Sequence, residues 1–154
     1  MTTSRRDFLK DTLSSAIALI TGAVVLSQRG LADWSKTAFE AKNTEDALMA
    51  LFNDSDTTDS DKITIVSPEI AENGKVVPVK VTADLPNVES ITLFSEKNPV
   101  PLLARFNFSN GAKGWVKTRI KMAETGKVIA VVKADGKLYQ ASREIKVTVG
   151  GCGG

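Results

Sequence analysis

From Ile63 onward the apolar side chains of this chain recur at every second residue, a period that admits strands and excludes helices. Val77, Val79, Val81 and Ala83 alternate with Pro78, Lys80 and Thr82, which describes a strand with one wet face. Proline donates no ladder hydrogen bond, so Pro78 places that strand at an edge or beside a bulge. Six further stretches read as strands, at 63–66, 90–95, 102–108, 115–122, 128–133 and 137–149. Turn signals separate them: Glu72-Asn73-Gly74, Asn98-Pro99, Ser109-Asn110-Gly111 and Asp135-Gly136. Short strands at this spacing, without helical crossovers, predict an all-β fold, an immunoglobulin-like antiparallel β-sandwich. The last strand carries Ile145, Val147 and Val149 on one face and stops at Gly150.

Ahead of the strands, residues 34–52 are helical in pattern. Ser35 and Thr44 are each suited to cap a helix, and Glu45 and Asp46 suit the positive end of the second. Ala47, Leu48, Leu51 and Phe52 recur at helical spacing and should face a core. Residues 53–61 are acidic and contain no apolar side chain, which predicts an exposed loop. They lack the glycine and terminal glutamate that a calcium loop needs at its spacing.

The front of the chain reads as an address. Ser4-Arg5-Arg6-Asp7-Phe8-Leu9-Lys10 precedes a moderately apolar run from Leu13 to Leu26, with small residues at Gly30 and Ala32. That is the layout of a twin-arginine signal peptide, cleaved after Ala32 and directing export to the periplasm. The run is too short and too polar for a membrane span, which needs about 20 apolar residues. The expected organisation is a signal at 1–32, a helical segment and acidic loop at 33–60, a β-sandwich at 61–149 and an arm at 150–154. A twin-arginine route carries folded cargo, and with no cofactor motif in sight a travelling protein partner is the remaining reason for it.

Residues 33–154 hold 16 Lys+Arg and 16 Asp+Glu, so the expected mature chain is neutral. The charge is uneven: 33–101 carry 6 basic and 13 acidic side chains, and 102–154 carry 10 and 3. A uniformly basic nucleic-acid binder is excluded. An anion-favouring C-terminal half is conceivable only if folding keeps the two halves apart.

The tail reads Val149-Gly150-Gly151-Cys152-Gly153-Gly154, and Cys152 is the single cysteine of a chain with no histidine. One sulfur without histidine cannot close a metal coordination sphere. With no histidine and the thiol on a tail, the chain alone does not offer the geometry that holds a catalytic thiolate. Prenylation requires a cysteine fourth from the end, and Cys152 is third. An extended chain advances roughly 3.3–3.6 Å per residue, so Cys152 reaches on the order of 10 Å beyond Val149. Its neighbours Gly150, Gly151, Gly153 and Gly154 present no side chain and make a flexible arm that is costly to order. A lone thiol in an oxidising compartment is a liability unless it is used. The expectation is a cargo handle, with the chemistry done by whichever enzyme receives it.

Four stretches, PEIAENGKVVPV at 68–79, EKNPVPL at 96–102, TRIKMAET at 118–125 and KVTVGGCGG at 146–154 with its Gly-Gly-Cys-Gly-Gly terminus, resemble the SoxY family. SoxY proteins are sulfur-carrier subunits of the periplasmic thiosulfate-oxidising (Sox) system. The resemblance implies a non-catalytic carrier of immunoglobulin-like fold with sulfur intermediates held covalently on Cys152 and no other cofactor. It implies a heterodimer with a SoxZ-like subunit lacking its own signal, and no nucleic-acid or membrane partner after signal removal. It also implies a loading haem enzyme (SoxAX-like), a sulfate-releasing hydrolase (SoxB-like) and, in hosts that have it, a sulfane dehydrogenase (SoxCD-like). Away from the arm the same stretches read as structure: Asn73-Gly74 a turn, Asn98-Pro99 a strand break, Arg119 and Lys121 a wet strand face.

A chain ending in Gly-Gly on a β-rich domain also suggests a ubiquitin-like sulfur carrier, loaded at the Gly154 carboxylate. Export counts against it, because activating a carboxylate takes ATP. A plain structural or adhesion sandwich is the third reading.

Overall fold

The computed structural model describes residues 35–109 and 111–149. The expected signal segment and all five arm residues, Gly150, Gly151, Cys152, Gly153 and Gly154, lie outside the described residues. Two helices come first, α1 (Lys36–Glu40) and α2 (Thr44–Phe52). Then follow β1 (Thr58–Asp59), β2 (Ile63–Val66), β3 (Ile70–Asn73), β4 (Val77–Ala83) and β5 (Val88–Ser95). The chain continues through β6 (Leu102–Asn107), β7 (Trp115–Ile120), β8 (Gly126–Ala134) and β9 (Lys137–Val149).

The fold is the expected immunoglobulin-like sandwich. One sheet runs β1-β9-β8-β5-β6, with β3 also on β9, and the other runs β2-β4-β7. Strict alternation decides which side chains meet between them. Val77, Val79, Val81 and Ala83 of β4 are buried while Pro78, Lys80 and Thr82 are exposed. They meet Ile91 and Leu93 of β5, Ala130 and Val132 of β8, and Ile145 of β9 in one core. Each such aliphatic side chain contributes about 1.5–3 kcal/mol on burial.

Pro78 sits in the middle strand of its sheet, yet at a local edge. Ala83 N–H donates to the Gly114 carbonyl and Asp84 N–H to the Lys62 carbonyl, so odd residues of β4 address β7 and even ones the β2 side. The β2 ladder ends at Val66, opposite Lys80. The N–H that Pro78 lacks would therefore point where no strand is paired.

The larger sheet has a second covered face. Phe94, Leu102, Val131 and Leu138 pack under Ala38, Ala47 and Leu48 of the two helices. Leu51 and Phe52 are only partly buried at the margin of this cluster, and the Phe52 ring lies under the Arg105 guanidinium at 4.6 Å. Burial lowers the affinity of Arg105 for its proton. Ser35 caps α1, accepting from Ala38 N–H at 3.4 Å. Thr44, however, is the first residue of α2 and not its cap. The cap is Asn43, whose Oδ1 accepts from Asp46 N–H at 2.7 Å, and asparagine is a better N-cap than threonine.

Two strands depart from the expected pattern. Within the acidic loop Thr58 and Asp59 pair parallel with Tyr139 and Gln140 of β9. Ile70, Ala71 and Asn73, read in part as a turn, pair parallel with Lys146, Val147 and Val149. The turn lies one step later, where the Asn73 carbonyl accepts from Val76 N–H and its Oδ1 from Lys75 N–H.

The acidic and basic halves of the sequence interleave strand by strand: β9 and β8 lie between β1 and β5, and β7 beside β4. The uneven charge does not become two segregated faces. At the end of the sheet carrying the Asp135-Gly136 turn, Glu89 is paired with Lys133 at 2.9 Å and accepts from Gly136 N–H. Those partners hold its carboxyl below the usual glutamate range. No helix among the described residues is long and apolar enough to cross a membrane.

Candidate functional site

The site is the root from which the arm departs, at the end of β9. On the β8 side the ladder stops where Gly126 pairs with Ile145. Beyond it the Thr125 side chain stands in for the missing strand: Val147 N–H donates to Thr125 Oγ1 at 2.9 Å, and the hydroxyl donates to the Val147 carbonyl at 3.4 Å. On the opposite edge β3 supplies a backbone partner. Lys146 N–H donates to the Glu69 carbonyl at 2.9 Å, and Gly74 N–H donates to the Val149 carbonyl at 2.8 Å. Among the described residues Val149 is thus the last fixed by its backbone.

Its side chain is another matter. Along the inward face of β9, Ile145 is fully buried, Val147 half-buried and Val149 60% exposed. The face that carries these three residues leaves the core progressively toward the end of the strand. Ile70 and Val76, beside it, are exposed in the same way.

The stretches that carried the family resemblance converge on this root. Asn98, 9% exposed, donates to the Lys121 carbonyl at 2.9 Å and accepts from Ala123 N–H at 2.8 Å and from the Ser95 hydroxyl at 3.2 Å. Fully buried Met122, between those two partners, donates its N–H to the Gly74 carbonyl. Residues 96–102, 118–125, 68–79 and 146–149 are thereby tied into one continuous hydrogen-bonded collar. Sequence reasoning took Asn98 for a strand break and assigned Thr125 no role. Both partner across more than 20 positions of chain, which no local pattern reports.

Asn98→Ala removes three side-chain bonds and strands a donor and an acceptor away from water. Stability should fall by about 2–3 kcal/mol, on the order of 10 °C in Tm, as read by thermal unfolding. A loss below about 1 kcal/mol would mean that the collar holds without it.

No three His, Cys, Asp or Glu side chains among the described residues gather closely enough to hold a metal ion. A groove of about 940 Å³, lined by Leu85, Val88, Phe108, Lys113 and Trp115 among others, opens at the other end of the sandwich. It shares no residue with the root. Arg119, Lys117 and Pro78 line a shallower depression on the β4–β7 face, and Lys121 is exposed just past the end of β7.

A sandwich whose last strand is held on both edges, with the single thiol of the sequence three residues past Val149, has the form of a carrier domain. Residues 48–152 match the family described as sulfur oxidation protein SoxY, a match that runs through Cys152. The chain belongs to the SoxY family. The solved structure of the sulfur carrier protein SoxY from Chlorobium limicola f thiosulfatophilum is similar at 42% identity and a TM-score of 0.62, covering 68% of this chain and 94% of that one. A structure of the bacterial superantigen toxic shock syndrome toxin-1 is far more distant, with 11% identity, a TM-score of 0.40 and coverage of 55% and 98%. No curated protein matches the chain.

Proposed function

We propose that this SoxY-family chain carries the sulfur compounds of thiosulfate oxidation covalently on Cys152 as they pass between enzymes. The observation that carries this reading is the root: the backbone is fixed to Val149, and the only thiol follows three residues later among glycines. In this reading the sandwich presents the handle, and the partner enzymes carry out the chemistry.

The carried states follow from thiol chemistry. In loading, the Cys152 thiol and thiosulfate join through a new S–S bond, releasing one proton and two electrons to a haem enzyme. Water then cleaves the bond to the terminal sulfonate, which leaves as sulfate with a proton, and a persulfide remains on Cys152. Where a sulfane dehydrogenase is present, that outer sulfur is oxidised in turn and a second hydrolysis restores the thiol. No cofactor beyond these covalent adducts is needed.

Export by the twin-arginine route to the periplasm, together with a signal-less SoxZ-like partner, completes the reading. Arg5→Lys with Arg6→Lys should leave both proteins in the cytoplasm. Fractionation that finds the partner outside while this chain stays inside would sink the joint export.

Mass spectrometry of the mature protein from thiosulfate-fed cells tests the whole reading. Adducts of one or more sulfur atoms on Cys152, some with sulfonate, are the expected result. A modified Gly154 carboxylate would favour the ubiquitin-like carrier, and an unmodified chain a structural sandwich.

A further inference from the structure

Resting on the carrier reading, we infer that Thr125 is a positioning residue that sets where the arm begins. Beyond Ile145, strand β9 has lost β8, and the free edge of Val147 would face water on that side. The Thr125 hydroxyl closes it by serving both groups of Val147, the N–H at 2.9 Å and the carbonyl at 3.4 Å. Across the strand, β3 pairs Ala71 with Val147 and Asn73 with Val149. Val147 is therefore gripped from both sides, and it is the innermost residue whose release would free the root. A side-chain hydroxyl is suited to this place because it is donor and acceptor at once, as a neighbouring strand would be. A strand in its stead would run on past Val147 and hem in the tail.

The functional consequence is reach and entropy. With the clamp closed, β9 is held through Val149. With it lost, Val147 to Val149 are held by β3 alone and open more often, and an enzyme taking up the arm must re-order them, at up to roughly five- to thirtyfold in binding for each residue that is fully free. Thr125 thus serves the uptake of the arm and leaves the chemistry at sulfur untouched.

The test compares Thr125→Val, which keeps the branched shape and loses the hydroxyl, with Thr125→Ser, which keeps the hydroxyl, in the full mature chain. Loss of one such bond should speed amide hydrogen exchange at Val147 and its successors by roughly three- to tenfold in the valine variant. Exchange at Ile91 and Val131 in the core should stay unchanged, and serine should restore the wild-type rates. With the host's purified thiosulfate-loading enzyme and thiosulfate, the valine variant should show KM raised about threefold or more at unchanged kcat. A purely structural defect would instead lower the active fraction, and so the apparent kcat, with accelerated exchange in the core. Unchanged exchange at Val147, or accelerated exchange with wild-type KM, overturns the inference while the carrier reading stands. If the wild-type chain itself is never loaded on Cys152, both fall.

Discussion

Cys152→Ser is expected to abolish thiosulfate-dependent sulfate formation in a reconstituted system, down to the background without carrier. The reason is chemical and does not depend on shape. Loading requires a thiolate that can form a bond to sulfur and give up two electrons in doing so, and a serine hydroxyl neither ionises in that range nor forms a stable bond of that kind. Cys152 is the only cysteine, so no second thiol can take over. The fold should not respond. Its last fixed carbonyl belongs to Val149, and both hydrophobic clusters are drawn from residues upstream of it. Exchanges of this size away from packed features stay within about 0.5 kcal/mol. Thermal unfolding, partner co-purification and sulfate release measured on one preparation check the three parts together. Sulfate production at a substantial fraction of the wild-type rate would remove Cys152 from the mechanism.

What could be read from the sequence followed from how much apolar surface each element buries. Strands β2 and β9 were legible to the residue, and β4 to its burial pattern, because a sheet face that packs on a core imposes alternation on the chain. Strand β3 buries only Ala71, and β1 buries nothing. Both exist because backbone groups of β9 offer a free edge, and a backbone ladder leaves no mark on side-chain choice. The same limit hid the collar. Asn98 and Thr125 look like ordinary turn residues until the fold brings Lys121, Ala123 and Val147 to them. Cys152 stood out by the opposite route: its isolation and its glycine flanks are properties of composition, and they needed no fold to be noticed. The gap between the two was the root itself, whose anchoring depends on the parallel strand the sequence did not announce.

The glycines around the thiol give the second large effect. Gly151→Val with Gly153→Val should leave Tm within about 1 °C, since both described hydrophobic clusters are built without them. Turnover by the loading enzyme and by the sulfate-releasing hydrolase should nevertheless fall by about tenfold or more, a cost of about 1.4 kcal/mol in transition-state access. Valine adds two methyl groups where glycine has only hydrogen, and its branching restricts the backbone on either side of the sulfur. A cleft that admits bare backbone must widen to admit it. Iodoacetamide is small and needs no cleft, so its rate with the thiol should change by no more than about twofold if the sulfur itself is unaltered. The ratio of the two rates is therefore the measurement. A parallel fall with enzyme and reagent would place the effect on the thiol's own reactivity. If neither rate falls, the receiving clefts are wide, and the glycines serve something other than entry. A selective loss with the enzymes assigns the glycines to passage, and it then separates them from Thr125: the glycines would govern whether the thiol can enter, the clamp how much chain must be ordered when it does.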